Sequence, residues 1–256
     1  MKRALLTVGS LLLAAGAAVP QGAAQERGGY ERGGPAGRGR MAYANPSEVI
    51  ATEIAFAQLA QEKGQWTAFA YFAAPDAVMF APGMVYAQGW LKGRANPPAA
   101  VKWQPHAVWS SCDGSLAVSH GAWQAGKENG WFTTIWQRQP DGTYRWVLDH
   151  GDSLAAPLAA PDMLAGLVAD CPDRPHRGEG PPPARDGKSR GNKPPKVDKN
   201  APLPPLDPAQ RNGRSGDGTL SWAIAVGPDN ARHLTVTWKK DGQDQTALDD
   251  RAAAGH

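Results

Sequence analysis

The chain has 256 residues, among them 30 Gly, 23 Pro, 10 Trp and two Cys, and its formal net charge is +3. Lys2 and Arg3 supply two of those units, so the charge balance excludes a generally basic, nucleic-acid-seeking protein. The two cysteines, Cys112 and Cys171, have no CxxC spacing, which leaves zinc and dithiol redox chemistry without support.

Residues 1–24 have a secretory layout. Lys2 and Arg3 form a charged start, Leu5 to Val19 is apolar and rich in small residues, and Ala23-Ala24 before Gln25 fits a cleavage site. The apolar run is too short and too poorly flanked for a membrane span. The expectation is therefore a periplasmic or secreted protein with no stable membrane insertion after signal removal. In that compartment an even cysteine count suggests one disulfide, Cys112–Cys171, with two free buried thiols as the alternative. Residues 25–44 are Gly/Arg-rich and read as a flexible leader.

Residues 45–171 read as the main folded domain. Asn45, Pro46 and Glu48 give a cap acceptor, a first-position proline and an early carboxylate, so a helix starts there. Val49, Ile50, Ile54, Phe56, Ala57 and Leu59 form its apolar stripe, and Gly64 ends it. A shorter helix carries Trp66, Phe69, Ala70 and Ala73 and stops at Pro75. A strand follows over 76–81, closed by Pro82-Gly83, then one or two helical turns over 88–92. From Lys102 the period changes to two. Strands are predicted over 103–110, 116–124, 131–138 and 144–150, with turns at Asp113-Gly114, Gly126 to Gly130 and Asp141-Gly142. Met163 to Ala169 reads as a helix. Eight of the ten tryptophans fall between Trp66 and Trp146.

Residues 172–214 are crowded with Pro and Gly, carry 10 Lys plus Arg against 5 Asp plus Glu, and hold almost no large apolar residue. Such a stretch buries too little surface to offset chain entropy and reads as a disordered insertion. Residues 215–256 then alternate at Leu220, Trp222, Ile224, Val226 and at Leu234, Val236, Trp238, which predicts a β-hairpin, with a further strand near Ala247. A lone hairpin is marginal in water, so docking on the main sheet is expected. No internal repeat is evident at this level.

This order is α+β: a cone-shaped curved antiparallel sheet capped by N-terminal helices, with a C-terminal β-hairpin after the insertion. Residues 48–153 resemble the nuclear transport factor 2-like superfamily in its SnoaL-like (polyketide-cyclase-like) branch. The resemblance rests on Glu53 to Phe56 with Trp66 to Phe69, on FAAPDAVMFAPG (72–83), WQP (103–105) and SLAVSHGAW (115–123), and most specifically on GWFTTIWQRQPDGTYRWVLDHGD (130–152). It implies a deep apolar pocket between helices and sheet. That fold hosts isomerases, cyclases, dehydratases, scaffold proteins and pocket proteins, so it fixes no reaction.

In ketosteroid-isomerase-like relatives a general-base Asp stands just before the Pro-Gly that follows the first strand. Here that position is Ala81, which takes no proton. Asp76 reads as a strand-start residue capping nearby amides. His120, mid-strand, is a candidate acid or base with Ser119 or Thr134 as hydroxyl partner; a core histidine is the structural alternative. His106 reads as an exposed edge residue. Asp149 and His150 are neighbours, so only one can face the cone, and Asp149 reads as a strand-end residue bonded to loop amides. Trp66, Phe69, Phe80, Trp90, Trp103, His120 and Trp136 are the candidate pocket walls.

These residues lead to an exported protein that binds a small apolar molecule in an aromatic-lined cone, with no cofactor and no metal site expected. A homodimer formed through an open sheet face is a possible assembly. The alternatives are a SnoaL-like hydrolase, isomerase or cyclase using His120, and an envelope assembly module acting through an exposed apolar sheet face.

Overall fold

The structure is a computed structural model that describes residues 43–171 and 202–254. The expected signal peptide, nearly all of the leader and residues 172–201 of the insertion lie outside the described residues.

Helix α1 (Pro46–Lys63) begins at the predicted proline, although the Asn45 side chain forms no cap bond. One face of it, Val49, Glu53, Phe56 and Ala60, is fully buried. Helix α2 (Gln65–Phe72) follows after Gly64. Strand β1 (Ala73–Phe80) starts three residues earlier than its sequence pattern suggested and includes Pro75 near its start, where a missing N–H is tolerated. Strand β2 (Met84–Tyr86) turns back on it, and α3 (Ala87–Leu91) leads away.

The meander is β3 (Lys102–Ser110), β4 (Leu116–Ala125), β5 (Glu128–Arg138) and β6 (Tyr144–Leu154). Residues 165–168 are a strand, β7 (Ala165–Val168), and not a helix. It lies parallel to β3, and the Ala169 N–H donates to the Ser110 carbonyl. The seven strands run in the order β2-β1-β6-β5-β4-β3-β7. The meander is antiparallel, whereas β1 on β6 and β7 on β3 are parallel, so the curved sheet is mixed towards both edges. Register shifts in β3 at Pro105/Ala107 and in the β5–β6 pair at Ile135/Trp136 supply local bends, as β-bulges do.

The C-terminal segment is larger than a hairpin. Strands β8 (Gln210–Arg214), β9 (Leu220–Val226), β10 (Arg232–Lys240) and β11 (Gln243–Ala252) form a second sheet in the order β11-β10-β9-β8. Residues 210–214, assigned from composition to the disordered insertion, are thus an edge strand. Leu220, Trp222, Ile224, Leu234 and Val236 are all buried and join the same hydrophobic cluster as Val118, Ile135 and Leu148. Each contributes on the order of 2 kcal/mol of transfer free energy. The helices take one face of the main sheet and the second sheet takes the other. The face expected to remain open for a homodimer or an envelope partner is therefore covered by the chain's own C-terminal strands.

A short repeat fastens the two sheets. The β3–β4 turn reads Ser111-Cys112-Asp113-Gly114-Ser115-Leu116, and the β8–β9 turn reads Ser215-Gly216-Asp217-Gly218-Thr219-Leu220. In each turn the Asp Oδ1 accepts from the Ser Oγ two residues before it (2.7 Å in both) and from the N–H and hydroxyl of the residue two after it. Gly114 and Gly218 take positive φ, 67° and 71°, where glycine avoids Cβ strain. The second carboxylate oxygens are then exchanged. Asp113 N–H donates to Asp217 Oδ2 at 2.8 Å, and Asp217 N–H donates to Asp113 Oδ2 at 3.0 Å. Cys112 N–H donates to Thr219 Oγ1 and Gly216 N–H to Ser115 Oγ, at 2.9 and 2.8 Å. The result is a nearly two-fold clasp between unrelated sheets. Cys112 also forms the expected disulfide with Cys171.

Asp113→Ala and Asp217→Ala should each lower unfolding free energy by about 2 kcal/mol, from several lost hydrogen bonds to charged acceptors. In the double variant the losses should fall short of additivity, because both changes break the same exchange. Urea denaturation of the three variants checks this; strict additivity would show that the two turns do not act together.

Candidate functional site

A cavity of about 460 Å³ opens between the helices and the concave face of the main sheet. Its walls are Phe56 from α1, Phe69 from α2, Trp103, Trp123 and Phe132 from β3 to β5, and Asp149 from β6. At the rim stand Phe80, Ala81, Pro82, residues 151–153 and Arg232 from β10. Of the seven wall candidates read from sequence, Phe69, Phe80 and Trp103 line this cavity. Trp66 and Trp90 pack edge-to-face with each other at 5.2 Å beside it. Trp136 is fully buried beneath it.

Register explains the sorting. Ser119 pairs with Thr134, and Thr134 with Asp149, so these three share the concave face. His120 pairs with Thr133, and Thr133 with His150, so these three share the opposite face. His120 is thus placed under the second sheet and away from the cone. Thr133 Oγ1 donates to Asp250 Oδ2 at 2.5 Å and therefore accepts from His120 Nδ1 at 2.9 Å, while Trp131 stacks on the imidazole. Neither Ser119 nor Thr134 can reach it through the sheet.

Two carboxyl groups lie on the concave side. Glu53 descends from α1 into complete burial. Its oxygens accept from Trp103 Nε1 (2.7 Å), Ser119 Oγ (2.5 Å) and Trp136 Nε1 (3.1 Å). Burial raises its pKa, and the three donors oppose that rise. Glu53 lies within the segments that carry the family resemblance, which assigns it no role. Its position on the buried stripe, between Val49 and Phe56, was the available signal.

Asp149 is not a strand-end residue bonded to loop amides. Strand β6 runs on to Leu154, so Asp149 sits mid-strand on the cavity wall, where its Oδ2 accepts from Thr134 Oγ1 at 2.8 Å. Burial pushes its pKa up to about 7, the Thr134 bond opposes the rise, and the Glu53 charge adds to it. A carboxyl group therefore does occupy the cone, although Ala81 leaves the position before Pro82-Gly83 empty of one. An acid titrating near neutrality beside a cavity can give or take a proton.

The other sequence candidates are structural. Asp76 does not cap a strand start; it pairs with Arg211 of β8 at 2.9 Å. His106 falls in the β3 irregularity and is buried instead of exposed, and burial lowers its pKa. His150 is buried on the face under the second sheet, where its ring also reaches the edge of the cavity beside Phe80, and both ring nitrogens lack a hydrogen-bond partner. Burial, reinforced by the Arg232 and His120 charges against those of Asp250 and Asp152, drives its pKa down to about 3.

No family model matches the chain, and no curated protein matches it. Similar solved structures include a DUF3225-family protein of unknown function from Pectobacterium atrosepticum (14% identity, 43% of this chain and 90% of that one, TM-score 0.36). A cystatin-like fold protein from Burkholderia xenovorans is comparable (15% identity, 44% and 93%, TM-score 0.36). So is a nuclear transport factor 2-like superfamily protein from Salmonella enterica (14% identity, 43% and 92%, TM-score 0.35).

The raised Asp149 pKa has a stability consequence of definite sign. Below about pH 4 both folded and unfolded chains hold the proton. As pH rises towards 7 the unfolded chain loses it first, so folding is progressively disfavoured, by at most about 4 kcal/mol. Asp149→Asn keeps the shape and the Thr134 bond but removes this penalty. Its thermal midpoint should exceed that of the parent by several degrees at pH 8, and the difference should shrink at pH 4. An equal difference at the two pH values would mean that the carboxyl is not held protonated by its surroundings.

Proposed function

We propose that this chain is an exported binding protein whose cone takes up one small, mainly apolar molecule. The single observation that carries the reading is the cavity of about 460 Å³, walled by five aromatic rings with the Asp149 carboxyl among them. Its size and its aromatic lining suit a small ring-bearing ligand. Export is supported by the Cys112–Cys171 disulfide together with the secretory layout of residues 1–24. Among the described residues no helix is long and apolar enough to cross a membrane.

A second reading, a proton-transfer enzyme, is favoured by one observation: a carboxyl group with its pKa at about 7 on the wall of an aromatic-lined cavity. In this reading Asp149, not His120, exchanges the proton, and Thr134 orients it.

N-phenyl-1-naphthylamine is a neutral fluorescent probe for the first reading. One equivalent should bind saturably, and Phe132→Trp, which fills the cavity, should weaken binding at least tenfold. Lack of saturable binding would remove the binding reading. For the second reading, 2-tetralone in deuterated buffer should exchange its α-hydrogens faster with protein than without, with an apparent pKa near 7, and Asp149→Asn should abolish the difference. NMR follows the exchange; an equal rate for parent and variant would exclude Asp149 as the proton carrier.

A further inference from the structure

Arg232 belongs to the C-terminal sheet yet stands at the rim of the cone. Its side chain is packed down to 9% exposure, with the guanidinium 4.7 Å over the Phe80 ring. One NH2 donates to the Gly151 carbonyl at 2.9 Å. The Nε is buried and has no hydrogen-bond partner, and no carboxylate forms an ion pair with Arg232 among the described residues. The nearby Asp152 is engaged elsewhere: its oxygens accept from the N–H groups of Ser153 (2.8 Å) and Ala253 (2.7 Å). Asp152 is the counter-charge it feels, from beyond ion-pair distance, and a buried guanidinium whose Nε has no partner is costly.

Resting on the binding reading, we propose that Arg232 is the anion anchor of the site and that the ligand is an apolar acid, a small ring-bearing molecule with a carboxylate or sulfonate. The planar fork of Arg matches such groups, and the rings of the cone take the hydrophobic body. Gly151, which Arg232 touches, is two residues beyond Asp149 on β6, about 7 Å along the strand. An acid anchored at the rim therefore lays its carbon skeleton across the Asp149 carboxyl. The second sheet thus completes the site that the cone begins and selects its ligand by charge.

The test compares two probes that share one skeleton. 8-Anilinonaphthalene-1-sulfonate carries an anion, and N-phenyl-1-naphthylamine does not. Both are titrated into the full chain at pH 6, and the ratio of their Kd values is read. That ratio cancels any loss of folded protein. The parent should prefer the sulfonate by at least about tenfold, the range of a hydrogen bond to a charged group. Arg232→Gln should bring the ratio close to one, and Arg232→Lys should leave it in between. Arg251→Gln, which removes an exposed charge from the neighbouring strand, should leave it at the parent value. An unchanged ratio in Arg232→Gln, with the neutral probe still bound, overturns the anchor and spares the binding reading. Equal loss in Arg251→Gln points to general surface charge and also overturns the anchor. If neither probe binds the parent, both readings fall.

Discussion

The structure depends on burying the central strands on both faces at once. Along β4, β5 and β6 the residues alternate between a helix side and a second-sheet side, and Val118, Ser119, Thr133, Thr134, Ile135, Trp136 and Leu148 are all fully buried. A strand covered on one side only can spend its other side on polar groups facing water. Here every polar atom on either side needs a protein partner. The helix side meets this through Glu53, whose carboxyl gathers Ser119, Trp103 and Trp136 into one network. The other side meets it through Asp250, which reaches Thr133 and His120. Each layer thus supplies one acid, Glu53 for the Ser119 hydroxyl and Asp250 for that of Thr133, while Thr134 bonds within the sheet to Asp149 and the His150 ring nitrogens have no partner.

The two faces also carry opposing ionisation costs. Asp149 resists losing its proton as pH rises, and His150, with its pKa down to about 3, resists gaining one as pH falls. The unfolded histidine takes up a proton near pH 6.5, the folded one only near 3, so acid favours unfolding across that window. Between about pH 4 and 6.5 the two contributions run in opposite directions and partly cancel. The His150 cost belongs to packing, since its ring lies between Trp131 and Phe80 under the second sheet. The Asp149 cost falls on the cavity wall.

Much of the architecture was legible because periodicity reports burial. The four meander strands, their Asp-Gly turns and the start of α1 follow from alternation, turn chemistry and a first-position proline. The departures have local causes. Strict alternation along β3 would put His106 on an exposed position, and the irregularity between Pro105 and Ala107 breaks that alternation. Met163 to Ala169 is a short apolar run that fits a helix or a strand by pattern, and only pairing with β3 decides it. Strand β8 has no alternation because it is an edge strand of polar residues. Asp149 was misread because β6 was ended four residues too soon, which moved a mid-strand carboxyl to a loop. The Ser-x-Asp-Gly-Ser/Thr-Leu repeat was present in the letters but spans six residues, too few to stand out as a periodic signal. The role of Arg232 lay beyond sequence patterning, because it depends on how two sheets meet across 81 positions of chain.

The six-residue clasp sits at the opposite end of β9 from Arg232, yet it decides what the cone's rim presents. Leu220 closes the clasp and starts β9, Val226 ends that strand opposite Arg232, and the Lys239 N–H returns to the Thr219 carbonyl. Slippage of β10 by a single position would point Arg232 at the solvent and bring a neighbour of different chemistry inward. The pair of aspartates is therefore a fixed datum from which the second sheet is measured out. Sequence drift at that datum would change the cone's chemical preference without touching any residue that lines it.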